Sequence, residues 1–96
     1  MPKGFKAVRH AVIAALESGR YLHAARGNIE VKNLLALGVV SAGEVIEIIR
    51  ACDGNHHSSS PHHAVLDIEV HVLRRHGWYI KFYFIEPHTW FISVHR

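Results

Sequence analysis

The 96-residue chain contains a single cysteine, Cys52. One thiol excludes an internal disulfide and any zinc site built on paired cysteines. A reducing, cytoplasmic setting is therefore expected. Long apolar runs are also missing: none reaches the roughly 18 residues that a membrane-spanning helix needs. The basic start, Lys3-Gly4-Phe5-Lys6, leads into Arg9 and His10 rather than into an uninterrupted apolar stretch, so no secretory leader is expected. No Gly-rich phosphate loop, Gly-x-Ser-x-Gly elbow or His-Glu-x-x-His helix occurs. Charge is modest, with 11 Lys+Arg against 8 Asp+Glu and a net +3. That balance admits an anionic partner but lies well short of a strongly basic nucleic-acid binder.

Histidine, by contrast, is abundant. Ten residues carry imidazole: His10, His23, His56, His57, His62, His63, His71, His76, His88 and His95. Imidazole changes charge near neutral pH, so this chain gains positive charge on mild acidification. Hydrophobic residues at 49% and charged residues at 20% are ordinary globular values. The length fits one domain over residues 1–96.

Periodicity divides the chain into a helical half (about 4–51), a His-rich loop (about 52–62) and a sheet half (about 63–96). Phe5, Val8, Val12, Ala15 and Leu16 recur at steps of three and four, and Gly19 is placed to end that helix. Asn28 caps a second expected helix carrying Ile29, Val31, Leu34, Leu35 and Leu37, closed by Gly38. Ser41-Ala42-Gly43-Glu44 is a capping-box pattern opening a third, with Val45, Ile46, Ile48 and Ile49. Asp53 to Pro61 reads as a loop.

Strict alternation follows. Ala64, Leu66, Ile68, Val70 and Val72 fall on one side, and Val65, Asp67, Glu69, His71 and Leu73 on the other. Arg74-Arg75-His76-Gly77 predicts a hairpin turn. The next strand sets Trp78, Ile80, Phe82 and Phe84 against Tyr79, Lys81, Tyr83 and Ile85. The last sets Trp90, Ile92 and Val94 against Phe91, Ser93 and His95. The expected fold is α+β: two or three N-terminal helices on one face of a three-stranded antiparallel β-meander. The opposite face then displays Asp67, Glu69, His71, Tyr79, Lys81, Tyr83, Ser93 and His95, while both tryptophans pack in the core.

Such a face has a chemistry. Lys81 can neutralise a phosphate or its transition state. His95 or His71 can exchange a proton. Tyr79 can orient a phosphate oxygen or stack on a base, and Tyr83 lies beside it. Arg74 and Arg75 can grip phosphates from the turn. A one-sided antiparallel sheet shows polar residues to water whatever it does, so a purely solvated face is the competing reading. His56-His57-Ser58-Ser59-Ser60-Pro61-His62-His63 invites a metal reading. Its spacing matches no closed structural site, and no metal ligand is assigned.

The order of elements, with Leu66-Asp67-Ile68-Glu69-Val70, Gly77-Trp78-Tyr79-Ile80-Lys81 and Phe91-Ile92-Ser93-Val94-His95, resembles the MqsR-type toxins over about residues 8–95. These are bacterial type II toxin–antitoxin RNases of RelE-like fold. The resemblance implies metal-independent cleavage of mRNA, free or on the ribosome, no cofactor, and neutralisation by a cognate antitoxin protein. Tyr79 matches the family's active-site tyrosine. His95 stands where the family has a lysine, and His56 and His57 lie near its loop lysine. Under this resemblance His95 is the base, His56 or His57 the acid, and Lys81 the phosphate anchor. Val65-Leu66-Asp67 replaces a Trp-Gln-Asp stretch. These departures fit either a histidine-based cleavage site or a relative that kept the fold and changed its job. Two alternatives stay open: a non-catalytic domain that binds protein or RNA, and a His-rich metal-binding domain.

Overall fold

The structure is a computed structural model that describes residues 4–24, 33–62 and 64–96. Helix α1 spans Phe5–Ser18 and buries Val8, Val12, Ala15 and Leu16, the stripe that the periodicity predicts. Gly19 ends it in a left-handed conformation (φ 76°), donating its N–H to the Ala15 carbonyl. Strand β1, Tyr21–His23, follows directly. The start of the expected second helix, Asn28 to Lys32, lies outside the described residues. Its end is not helical. Asn33 instead bridges Val94 of the sheet, and its Oδ1 accepts the Ala36 N–H. Helix α2 spans Ala42–Arg50. Both halves of its capping box form: Glu44 N–H to Ser41 Oγ and Ser41 N–H to Glu44 Oε1, each at 3.1 Å.

The expected loop is a short 3₁₀ turn, Gly54–His56, followed by strand β2, His57–Pro61. Ser58, Ser59 and Ser60 are exposed, so no hydrophobic alternation marks this strand; pairing with its neighbour creates it. Strands β3 (Glu69–Arg75), β4 (Trp78–Ile85) and β5 (His88–His95) pair antiparallel in chain order. The β3–β4 hairpin turns at His76 (φ 51°) and Gly77 (φ 81°). Two successive positive φ values match the twist of the flanking strands. Arg74 and Arg75 therefore lie within β3, paired with Tyr79 and Trp78, rather than at the tip.

The sheet corrects the expected fold. Among the described residues it has five strands in the order β1-β5-β4-β3-β2, with β1 parallel to β5 and every other pair antiparallel. The architecture is α+β with two described helices and a mixed sheet, not the three-stranded antiparallel meander of a RelE-like fold. The two added strands are short or wholly polar, which is why alternation does not announce them.

Both helices pack on one face. Val8, Val12, Leu16, Val45, Ile49 and Cys52 meet Leu73, Ile80, Phe82, Phe91 and Val94 in one core. On β4 the inward set is as expected, with Ile80 and Phe82 fully buried. On β3 the expected sides are reversed. Leu73 pairs with the buried Ile80 and His71 with the buried Phe82, so Glu69, His71 and Leu73 face the helices. Both sides of that strand carry apolar residues, and the deeper neighbours decide which turns in. On β5 a bulge opposite Lys81 and Phe82 shifts the register. Phe91 and Val94 thereby turn inward and Trp90 turns out.

Candidate functional site

The face of the sheet away from α1 and α2 brings together residues from three strands. Arg74, Tyr79 and His95 are register partners on β3, β4 and β5. Their side chains form one stacked row. The Arg74 guanidinium sits 5.1 Å from the Tyr79 ring centre. The His95 ring stacks on Tyr79 at 5.1 Å, inclined by 26°. The phenol is thus flanked on both sides and stays partly exposed. His95 Nδ1 lies 3.1 Å from the Arg96 carbonyl oxygen. A main-chain oxygen only accepts, so Nδ1 is the donor in this contact, and in a neutral ring Nε2 is then the acceptor.

The next row holds Val72, Lys81 and Ser93, with Lys81 opposite Ser93. Rows on one face repeat every second residue, about 7 Å apart. A third row holds Val70, Tyr83 and Trp90, extended onto β1 by Leu22. Tyr83 and Trp90 stack with planes 5° apart and centroids 6.3 Å apart, and His62 meets Tyr83 edge-on at 5.3 Å. Among the described residues, no strand residue on this face is acidic: the charged groups are Arg74 and Lys81, with imidazoles at either end. A phosphate would therefore meet cations and hydroxyls here without a competing carboxylate from the strands.

Of the expected site residues, Tyr79, Lys81, His95, Arg74 and Tyr83 share this face. Four others do not. His71 is 2% exposed and packs against Phe82 and Phe84 beneath the helices. His57 pairs with Leu73, and its Nε2 lies 3.0 Å from His71 Nδ1. The His71 Nε2 stands 3.7 Å from Glu69 Oε1. Burial lowers the pKa of His57, partly offset by the Glu69 charge. His56 is held by Asp53, whose N–H donates to His56 Nδ1 at 2.9 Å, and its Nε2 lies 3.3 Å from Arg75 Nη1. Arg75 is thus directed to the helix side, and neither loop imidazole reaches His95. A second helix-side histidine, His23, pairs with Asn33 Nδ2 at 3.0 Å, and burial lowers its pKa too.

Residues missed from the sequence are Trp90 and His62. Trp90 looked like core because the bulge that turns it outward has no signature in the alternation. His62 was one of a cluster, with nothing to set it apart. His62 Nδ1 accepts the N–H groups of Ala64 and Val65, which fixes its ring over Tyr83. Among the described residues, no three of His, Cys, Asp and Glu gather to hold a metal ion. A groove of about 600 Å³ between α1 and α2, lined by Lys6, Arg9, His10 and Arg50 among others, contains none of these residues. No described helix is long and apolar enough to cross a membrane. No protein-family model, curated protein or solved structure matches the chain.

Proposed function

We propose that the open face of the sheet binds RNA in the cytoplasm and cleaves it by metal-independent attack of the ribose 2′-OH. The observation that carries this reading is the Arg74–Tyr79–His95 row with Lys81 one row away. The nucleophile belongs to the substrate, so the protein has to position a phosphodiester, take one proton and stabilise charge. His95 takes the 2′-OH proton on Nε2. The 2′ oxygen bonds to phosphorus, and the bond from phosphorus to the 5′ oxygen breaks. Lys81 and Arg74 neutralise the phosphorane, and the Tyr79 hydroxyl donates to a non-bridging oxygen. The leaving oxygen takes its proton from water, because His56 and His57 are held on the helix side. The products are a 2′,3′-cyclic phosphate and a 5′-hydroxyl. As the resemblance to the MqsR-type toxins implies, the substrate is mRNA, and a cognate antitoxin protein restrains the activity.

The test is incubation of the purified chain with mixed mRNA in excess EDTA, with and without ribosomes. Cyclic-phosphate ends are expected, and His95→Ala or Lys81→Ala should lower the cleavage rate at least 100-fold. Intact RNA in both arms overturns cleavage. The second reading, RNA binding without cleavage, is favoured by the single imidazole in the row. It predicts affinity that falls steeply with salt and no cut ends.

A further inference from the structure

The phosphate-handling row has an apolar neighbour that cleavage alone does not require. We propose that Tyr83, Trp90 and His62 form a nucleobase subsite, so that the ligand is a single-stranded nucleotide step with its phosphate over Lys81 and a base against the Tyr83–Trp90 pair. The inference rests on the RNA reading above and adds where the base goes.

Tyr83 and Trp90 are only partly buried, although each is large and apolar. Their planes are parallel to within 5° and their centroids lie 6.3 Å apart, so the two rings stand side by side across β4 and β5 as one contiguous apolar surface. Leu22, paired with Trp90 and 39% exposed, continues that surface onto β1. The His62 ring closes it on the Tyr83 side, held by two backbone N–H groups. Contiguous apolar surface on a soluble face marks a contact site. Every base has a π-face, so aromatic surface accepts bases with little regard to sequence. Single strands are recognised in this way, by stacking bases while cations track the backbone.

Spacing ties the subsite to the cation. Tyr83 is two residues from Lys81 on the same strand face, about 7 Å along the chain. That is the reach from a phosphate to an adjoining base. Duplex ends or an acidic protein segment would use Lys81 and Arg74 but would have no need of the aromatic row.

Two oligonucleotides of equal length separate these possibilities. One is a fully 2′-O-methylated RNA, which lacks the attacking hydroxyl; the other is its abasic counterpart. At one low salt concentration, the wild-type chain should bind the base-bearing strand about tenfold tighter. Tyr83→Leu and Trp90→Leu keep apolar bulk and remove the ring. Each should erase that preference and leave abasic binding unchanged, with urea unfolding confirming a folded chain. Lys81→Ala should weaken both strands equally. Equal binding of the two strands by the wild type, or a preference that survives both Leu variants, overturns the base subsite. If cyclic-phosphate cleavage persists alongside equal binding, only this inference falls. Binding of neither strand overturns the inference and the RNA reading together.

Discussion

Lys81 and Phe82 are neighbours in β4 and live on opposite sides of one sheet. Phe82 is fully buried against His71, Phe84 and Phe91. Lys81 is partly open, between rows of stacked side chains. The histidines divide in the same way. His57 and His71 meet each other under the helices, while His95 and His62 edge the open face. Residue type alone does not assign a histidine to chemistry. Its packing neighbours do: His71 is 2% exposed beneath the helices, whereas His95 and His62 on the open side stay partly exposed, although Val70 and Ser93 of that same side are buried. On the helix side His57 meets His71 and His56 meets Arg75, while Glu69 Oε1 and Arg75 Nε are buried without a hydrogen bond; on the open side Tyr79, Lys81 and His95 stay partly exposed.

The sharpest way to break this contrast is to truncate the buried partner. Phe82→Ala removes a fully buried ring among close-packed neighbours and should cost about 3–5 kcal/mol. Domains of this size are stable by roughly 5–15 kcal/mol, so a large part of the folding free energy goes with it. Urea unfolding followed by circular dichroism measures the loss. A cost below about 1 kcal/mol would show that the helix face is loosely packed and that the two sides differ less than their burial implies.

A smaller effect sharpens the contrast through pH. His57 and His23, both on the helix side, have pKa values lowered by burial. The native state therefore binds fewer protons than the unfolded chain once pH falls below the ordinary imidazole value of about 6.5. Their contribution to stability is complete above that pH and is lost as pH drops through the interval down to the lowered folded values. Around His57 stand Phe5, His71 and Glu69, and the Glu69 charge softens the effect. The urea midpoint should fall between about pH 7.5 and about pH 5.5. His57→Gln, which cannot titrate, should make that fall shallower. An unchanged slope would place the acid response elsewhere in the chain.

How far the sequence reveals these two sides depends on the strand. β4 is fully legible: Ile80 and Phe82 alternate with Tyr79 and Lys81, and both sets lie where alternation puts them. Helices α1 and α2 are legible for the same reason, the first by its stripe and Gly19, the second by Ser41 and Glu44. β3 misleads, because Val70 and Val72 are as apolar as Leu73 and only the tertiary neighbours break the tie. β5 misleads at the bulge, where one extra residue inverts every side chain beyond it. β2 is invisible: three serines and a proline form a strand because an edge is there to pair with. Of the candidate site, the β4 members and His95 were legible from parity. Trp90 and His62 were not, since their positions follow from the bulge and from the unrecognised strand.

The smallest expected change is on the open side. Lys81→Ala should alter stability by no more than about 0.5 kcal/mol, as surface substitutions away from caps and buried networks do. Its ammonium makes no described hydrogen bond or ion pair, and its strand neighbours Val72 and Ser93 offer no charge. Removing it even relieves a like charge near Arg74, which acts in the stabilising direction. Urea midpoints of wild type and variant should therefore coincide while RNA cleavage or binding drops. If Lys81→Ala instead unfolds the chain on the scale of Phe82→Ala, the lysine is a structural member of the sheet. The open face would then be a second packed surface rather than a site. The ratio of those two neighbouring losses, one measured in stability and one in activity, is what separates a face built to hold the fold from a face built to meet a ligand.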